Sequence, residues 1–122
     1  MIRDYKDLMV WQKSQDFCVE IFRITKDFPR SELYGLVSQL RRAALSIPSN
    51  LAEGHTRQYT KEFVQYSYTA LGSSSELETQ LMVSYELKYL DKQTFEKMTV
   101  KLVEIRKMLN GLINSLKERT KS

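Results

Sequence analysis

Between Ser31 and Gly54 the chain reads SELYGLVSQLRRAALSIPSNLAEG, and its apolar residues Leu33, Val37, Leu40, Ala44, Ile47 and Leu51 advance by alternating steps of four and three. On a helix of 3.6 residues per turn that spacing gathers them into one stripe, so this segment must bury a face against other elements. Arg41 lies on the flank of the stripe and Arg42 on the opposite side, which leaves both guanidinium groups able to reach solvent or a partner. Pro48 lacks the N–H that would bond the carbonyl of Ala44, and its ring crowds that carbonyl. A kinked or broken second helix is therefore expected between Leu45 and Asn50, with Ser46, Ser49 and Asn50 able to supply replacement hydrogen bonds.

The same periodicity recurs on either side. A first helix is predicted over about Asp7 to Asp27, burying Val10, Trp11, Phe17, Cys18, Ile21, Ile24 and Phe28. The turn FPRSE follows, with Ser31 as the cap of the second helix and Glu32 in its first turn. Gly54 suits a left-handed C-terminal cap, and Thr60 can cap a third helix running from Lys61 to Tyr89. That helix has a primary stripe of Phe63, Tyr66, Ala70, Ser74, Leu77, Leu81 and Tyr85. A second band of Val64, Leu71, Met82 and Tyr89 lies a quarter turn away. A bundle of four helices in one chain needs a single apolar stripe per helix, so the second band is assigned to a subunit interface. The small residues of Ala70 to Ser75 let another helix approach closely. Asp91 is a good cap for a fourth helix, where Phe95, Met98, Leu102, Ile105, Leu109, Leu112 and Leu116 keep a nearly unbroken three-four pattern.

Short connections make successive helices antiparallel, so the expected fold is all-α: an up-down-up-down four-helix bundle forming one domain over residues 1–122 with short flexible termini. A chain of this length buries roughly two thirds of the surface it exposes when unfolded, enough to fold without a disulfide or metal. Cys18 beside Phe17 and Ile21 reads as a buried free thiol. The opening MIRDYKDLMVWQ interleaves charges with apolar residues, which fits neither a signal peptide nor a membrane span; a cytoplasmic protein with no membrane association is expected.

Chemistry is sparse. The sole histidine, His55, falls in the connection GHTRQYTKE as an exposed loop residue, and no Glu-x-x-His pair, Walker loop, dinucleotide fingerprint or zinc spacing occurs, so no catalytic residue, metal ligand or cofactor is assigned. Glu76, Glu78 and Glu86 read as solvated or salt-bridged. Charge is segregated: the balances over residues 1–29, 30–61, 62–96 and 97–122 are 0, +3, −4 and +5, for a net +4. The basic segments favour an anionic partner. Arg41, Arg42, Arg57 and Lys61 cluster in sequence around one helix and its connection as candidate phosphate contacts for RNA or DNA, with Tyr59 and Tyr66 available for base stacking. The alternative for the arginine pair is structural, holding Glu53, Glu76 or Glu78 across a helix or subunit boundary. An oligomer would repeat a weak basic patch and multiply its effect by avidity; a scaffold for an unidentified protein partner is the competing use.

Leu8 and Trp11, FP at Phe28 and Pro29, ELYGLVSQLRRAALSIPSNLAEG, KEF at Lys61 to Phe63, ALGSSSELETQL and RKMLNGLINSL, in that order, resemble the family of proteins encoded in intervening sequences of bacterial 23S ribosomal RNA genes. Tyr59 departs from the small polar residue expected before KEF. The resemblance implies a left-handed antiparallel bundle assembling into a homo-oligomer, a homopentameric ring, with an RNA-associated role suggested by gene context. At the level of fold alone, the chain is also similar to the accessory proteins of diversity-generating retroelements, basic rings that bind nucleic acid and a reverse transcriptase.

Overall fold

In the computed structural model, which describes residues 3–121, the apolar stripes close on one another as four α-helices, and no strand occurs among the described residues. They are α1 (Met9–Thr25), α2 (Leu36–Thr56), α3 (Thr60–Glu86) and α4 (Lys92–Arg119). Consecutive helices pack side by side and α4 returns to α1, while the diagonal pairs do not approach among the described residues. That is the up-down-up-down bundle expected from short connections. Its centre is filled by Phe17 and Ile21 of α1, Leu40, Ile47 and Leu51 of α2, Leu77 and Leu81 of α3, and Met98, Leu102, Ile105 and Leu109 of α4, all essentially inaccessible to water. Burial of each such side chain stabilises the fold by about 1.5–3 kcal/mol.

The helix ends depart from the sequence reading. Ser31 does not cap α2: residues Arg30–Glu32 form a 3-10 turn, and the α-helix starts only at Leu36, so Leu33 is left 42% exposed outside the stripe. Glu32 does the tethering instead, its carboxylate accepting from Leu36 N at 3.5 Å and from the Tyr89 hydroxyl at 2.9 Å. At the other end α2 continues past Gly54 to Thr56, and no glycine among the described residues has a positive φ. Gly54 serves closeness. A Cβ there would sit 2.8 Å from both Phe63 Cδ1 and Tyr66 Cβ, so the missing side chain lets α2 and α3 converge.

Pro48 does not break α2, which runs unbroken through it. The lost bond to Ala44 is offset where Ile47, Pro48 and Leu51 are buried, and Asn50 Nδ2 donates to the carbonyl and hydroxyl of Ser46 at 2.8 and 2.9 Å. Ser46 Oγ then meets Ser73 Oγ at 2.8 Å across the α2–α3 seam. The small residues of α3 act as expected of a close-approach surface, with Ala70, Ser73 and Ser74 buried and the helix intact. Thr60 is the first residue of α3 rather than its cap; Tyr59 occupies the cap position and makes no side-chain capping bond.

The third helix stops three residues short of Tyr89. Lys88 takes a left-handed conformation, φ 66°, while Tyr89 N bonds Ser84 O and Lys88 N bonds Tyr85 O, each at 2.9 Å. This is the paired-bond helix end that usually carries glycine at the left-handed position. Asp91 caps α4 as expected, its Oδ1 accepting from Thr94 N at 2.7 Å. Met1, Ile2 and Ser122, part of the termini expected to be flexible, lie outside the described residues; the helix itself reaches Arg119.

Candidate nucleic-acid interface

The four basic residues singled out in the sequence divide into engaged and open ones. Arg41, on the flank of α2, turns back to the C-terminus of α1: Nε donates to Thr25 Oγ1 at 3.0 Å, one terminal nitrogen to Phe22 O at 3.3 Å, and the guanidinium lies 4.9 Å from the Phe22 ring centre. A cation over the last carbonyls of a helix complements its dipole, so Arg41 fastens α1 to α2. Arg42 points outward, exposed, at the mouth of a cleft of about 350 Å³ between α2 and α3 that Ser46, Ser73, Glu76 and Gln80 also line. The carboxylates weighed as partners of the arginine pair are disposed differently. Glu53 lies 3.5 Å from Arg57 and Glu78 lies 3.2 Å from Arg106, while Glu76 has no ion pair among the described residues.

Arg57 follows directly on α2 and is held from three sides. It donates to the Tyr66 hydroxyl, stacks 5.1 Å from the Tyr66 ring centre, and approaches Glu53 at 3.5 Å and Glu62 at 3.8 Å. The hydrogen bond to Tyr66 is the main reason its pKa rises still higher, followed by its charge interactions with Tyr66, Glu53 and Glu62. Lys61, in the first turn of α3, is exposed and has neither hydrogen bond nor ion pair among the described residues. At 1.5 Å per residue, Arg42 and Arg57 stand about 22 Å apart along α2, so the cations form two separate centres rather than one patch. Tyr66 has one face under Arg57, whereas Tyr59 is exposed.

The band assigned to a subunit interface is distributed over different surroundings. Val64 is buried inside the single chain, at 8% exposure, and Leu71 packs half-buried on the core. Tyr89 rests 5.3 Å from the Phe28 ring and donates to Glu32, which raises its pKa, the hydrogen bond counting most and burial next. Met82 remains open, at 53% exposure. With Val83, Leu87, Tyr85 and Phe95 it borders an apolar groove of about 610 Å³ at the α3–α4 corner, where the Tyr85 and Phe95 rings stack at 4.5 Å. Val83 and Leu87 were missed. Their four-residue spacing was a signal, but it falls off both stripes read from the sequence.

His55 is not in a loop. It lies in the last turn of α2, half-buried and edge-on to Phe63 at 5.8 Å between ring centres. Cys18 is buried, and burial raises its pKa, which keeps the thiol protonated and unreactive. Among the described residues no group of three or more His, Cys, Asp or Glu could hold a metal ion, and no helix is long and apolar enough to cross a membrane.

Fold and surface together define an all-α four-helix bundle with dispersed surface cations and an exposed apolar corner. The chain belongs to the 23S rRNA-intervening sequence protein family, whose model matches residues 6–111. It is similar to the crystal structure of a protein of unknown function from the S23 ribosomal protein family of Bacteroides thetaiotaomicron, with 26% identity and a TM-score of 0.82 over 89% of this chain and 98% of that one. No curated protein matches the chain.

Proposed function

We propose that this chain is a non-enzymatic, homo-oligomeric bundle that binds RNA or another nucleic acid through basic surfaces repeated around the assembly. The observation that carries the reading is that Arg42 and Lys61 stand exposed, without an ion pair among the described residues, on a chain of net charge +4. Such cations release counterions when they meet phosphate, while Arg41 and Arg57 hold the surrounding structure. Two isolated contacts bind weakly; repeated in a ring, the five-membered one that the family resemblance implies, they act together. The description of the family, which ties it to an intervening sequence of 23S rRNA, points to the same class of ligand. Binding titrations of single-stranded RNA over a salt series test this. Replacing Arg42 and Lys61 by alanine should weaken binding and flatten the log–log salt slope by about 0.7 per lost contact. Affinity that ignores salt, or that survives the double substitution unchanged, refutes it.

The apolar groove bordered by Met82, Val83 and Leu87 favours a second reading, a scaffold that docks another polypeptide. That reading predicts a specific protein complex that survives nuclease treatment and is abolished by Met82→Asp.

A further inference from the structure

The end of the bundle where α2 gives way to α3 carries an open groove of about 620 Å³. Tyr5, from the short turn before α1, and Tyr66 of α3 line it, together with Ser49, Asn50 and Glu53 of α2. We propose that this groove takes a guanine base of single-stranded RNA, a subsite that rests on the nucleic-acid reading above and adds base preference to it.

The argument is chemical. Both aromatic rings are held in place, Tyr5 by an edge-on contact to Trp11 at 5.3 Å and Tyr66 by the Arg57 guanidinium over its ring. Ordered aromatic faces are what an unstacked base needs, and single-stranded RNA offers such bases. Glu53 selects among them. An ionised carboxylate only accepts hydrogen bonds, with two oxygens side by side. Guanine alone among the four bases presents two adjacent N–H donors, N1–H and N2–H, on its Watson–Crick edge; adenine and cytosine set an acceptor beside their donor, and uracil flanks its single donor with two carbonyls. Arg57 is the positioning residue, 3.5 Å from one carboxylate oxygen of Glu53.

The sole tryptophan reports the event, because Trp11 touches the Tyr5 ring. The full-length chain is titrated with the pentaribonucleotides UUGUU and UUAUU while its tryptophan emission is followed, with filter binding as a second readout. The expected result is a tenfold or larger preference for UUGUU, accompanied by a change in Trp11 emission. In Glu53→Gln, at an exposed position, circular dichroism should show unchanged helix content, and the preference should fall to within twofold while the salt slope stays as it was. Tyr5→Leu should weaken both RNAs and abolish the emission change. Equal binding of the two RNAs with a normal salt slope overturns this subsite and leaves the broader reading standing, as does a preference that persists in Glu53→Gln. Absence of binding to either RNA at low salt overturns both.

Discussion

Replacing Gly54 by alanine adds one methyl group where α2 packs tightly on Phe63 and Tyr66 of α3, and its effect can be set against the same substitution elsewhere in the chain. Glycine to alanine inside a helix is worth about 1 kcal/mol of added stability through backbone entropy. At Gly72 in α3 and Gly111 in α4 a new Cβ meets nothing within 4 Å, so those two variants should gain up to about 1 kcal/mol each. At Gly54 the new atom would stand 2.8 Å from Phe63 Cδ1 and from Tyr66 Cβ, and 3.3 Å from Phe63 Cα. The Phe63 ring can swing. Tyr66 Cβ and Phe63 Cα move only with the backbone, so the helices must separate, at a cost toward the upper end of the roughly 1–3 kcal/mol typical of overpacking. Subtracting the propensity gain leaves a net loss of about 1–2 kcal/mol. Urea denaturation followed by far-ultraviolet circular dichroism, at fixed protein concentration, measures all three variants against the parent. If Gly54→Ala raises the midpoint as Gly72→Ala and Gly111→Ala do, the close-approach explanation of this glycine is wrong.

Lys88→Gly should stabilise the chain by about 1 kcal/mol in the same assay, because Lys88 holds a left-handed conformation that costs a side-chain-bearing residue and not glycine. Arg41→Met should lose about 1–2 kcal/mol by removing the bonds to Thr25 and Phe22, yet leave the salt slope of RNA binding intact, the reverse of what Arg42→Ala should do. Asp91→Ala should lower the urea midpoint at neutral pH. The backbone N–H of Thr94 holds the Asp91 carboxyl below the usual aspartate range, so its contribution is present above the unfolded value and is lost as pH falls through the lower folded one; parent and variant should converge in that acidic window. Met82→Asp should leave the fold intact and reduce the sedimenting mass if the open apolar corner joins copies of the chain, since Met82 is the exposed member of its band.

Much of the bundle could be read from spacing alone. The three-four periodicity of Val37, Leu40, Ala44, Ile47 and Leu51, all buried, is a local property of the helix and needs no partner to be recognised. The cap at Asp91 was legible for the same reason: one side chain and one backbone N–H three residues away decide it. Helix ends governed by longer reach were not. Glu32 rather than Ser31 secures the start of α2 because Tyr89, distant in sequence, comes within 2.9 Å of it, and α3 ends at Glu86 with Lys88, not a glycine, in the left-handed position beyond it.

The candidate site was less legible still, since charge along a chain says nothing of which cations find partners. Arg41 and Arg42 are neighbours in sequence with one composition-level reading, but a 100° step around α2 sends one to the carbonyls of α1 and the other to water. Val64 and Met82 share a band on a helical wheel, yet one is covered by the chain's own helices and the other is not. The linear order of residues determined the helices, their inward faces and their antiparallel succession, because these follow from periodicity and short connections. Packing decided what Gly54 is for, which arginine remains open and where the surface grooves lie, because those depend on distances between segments that only the assembled bundle brings together.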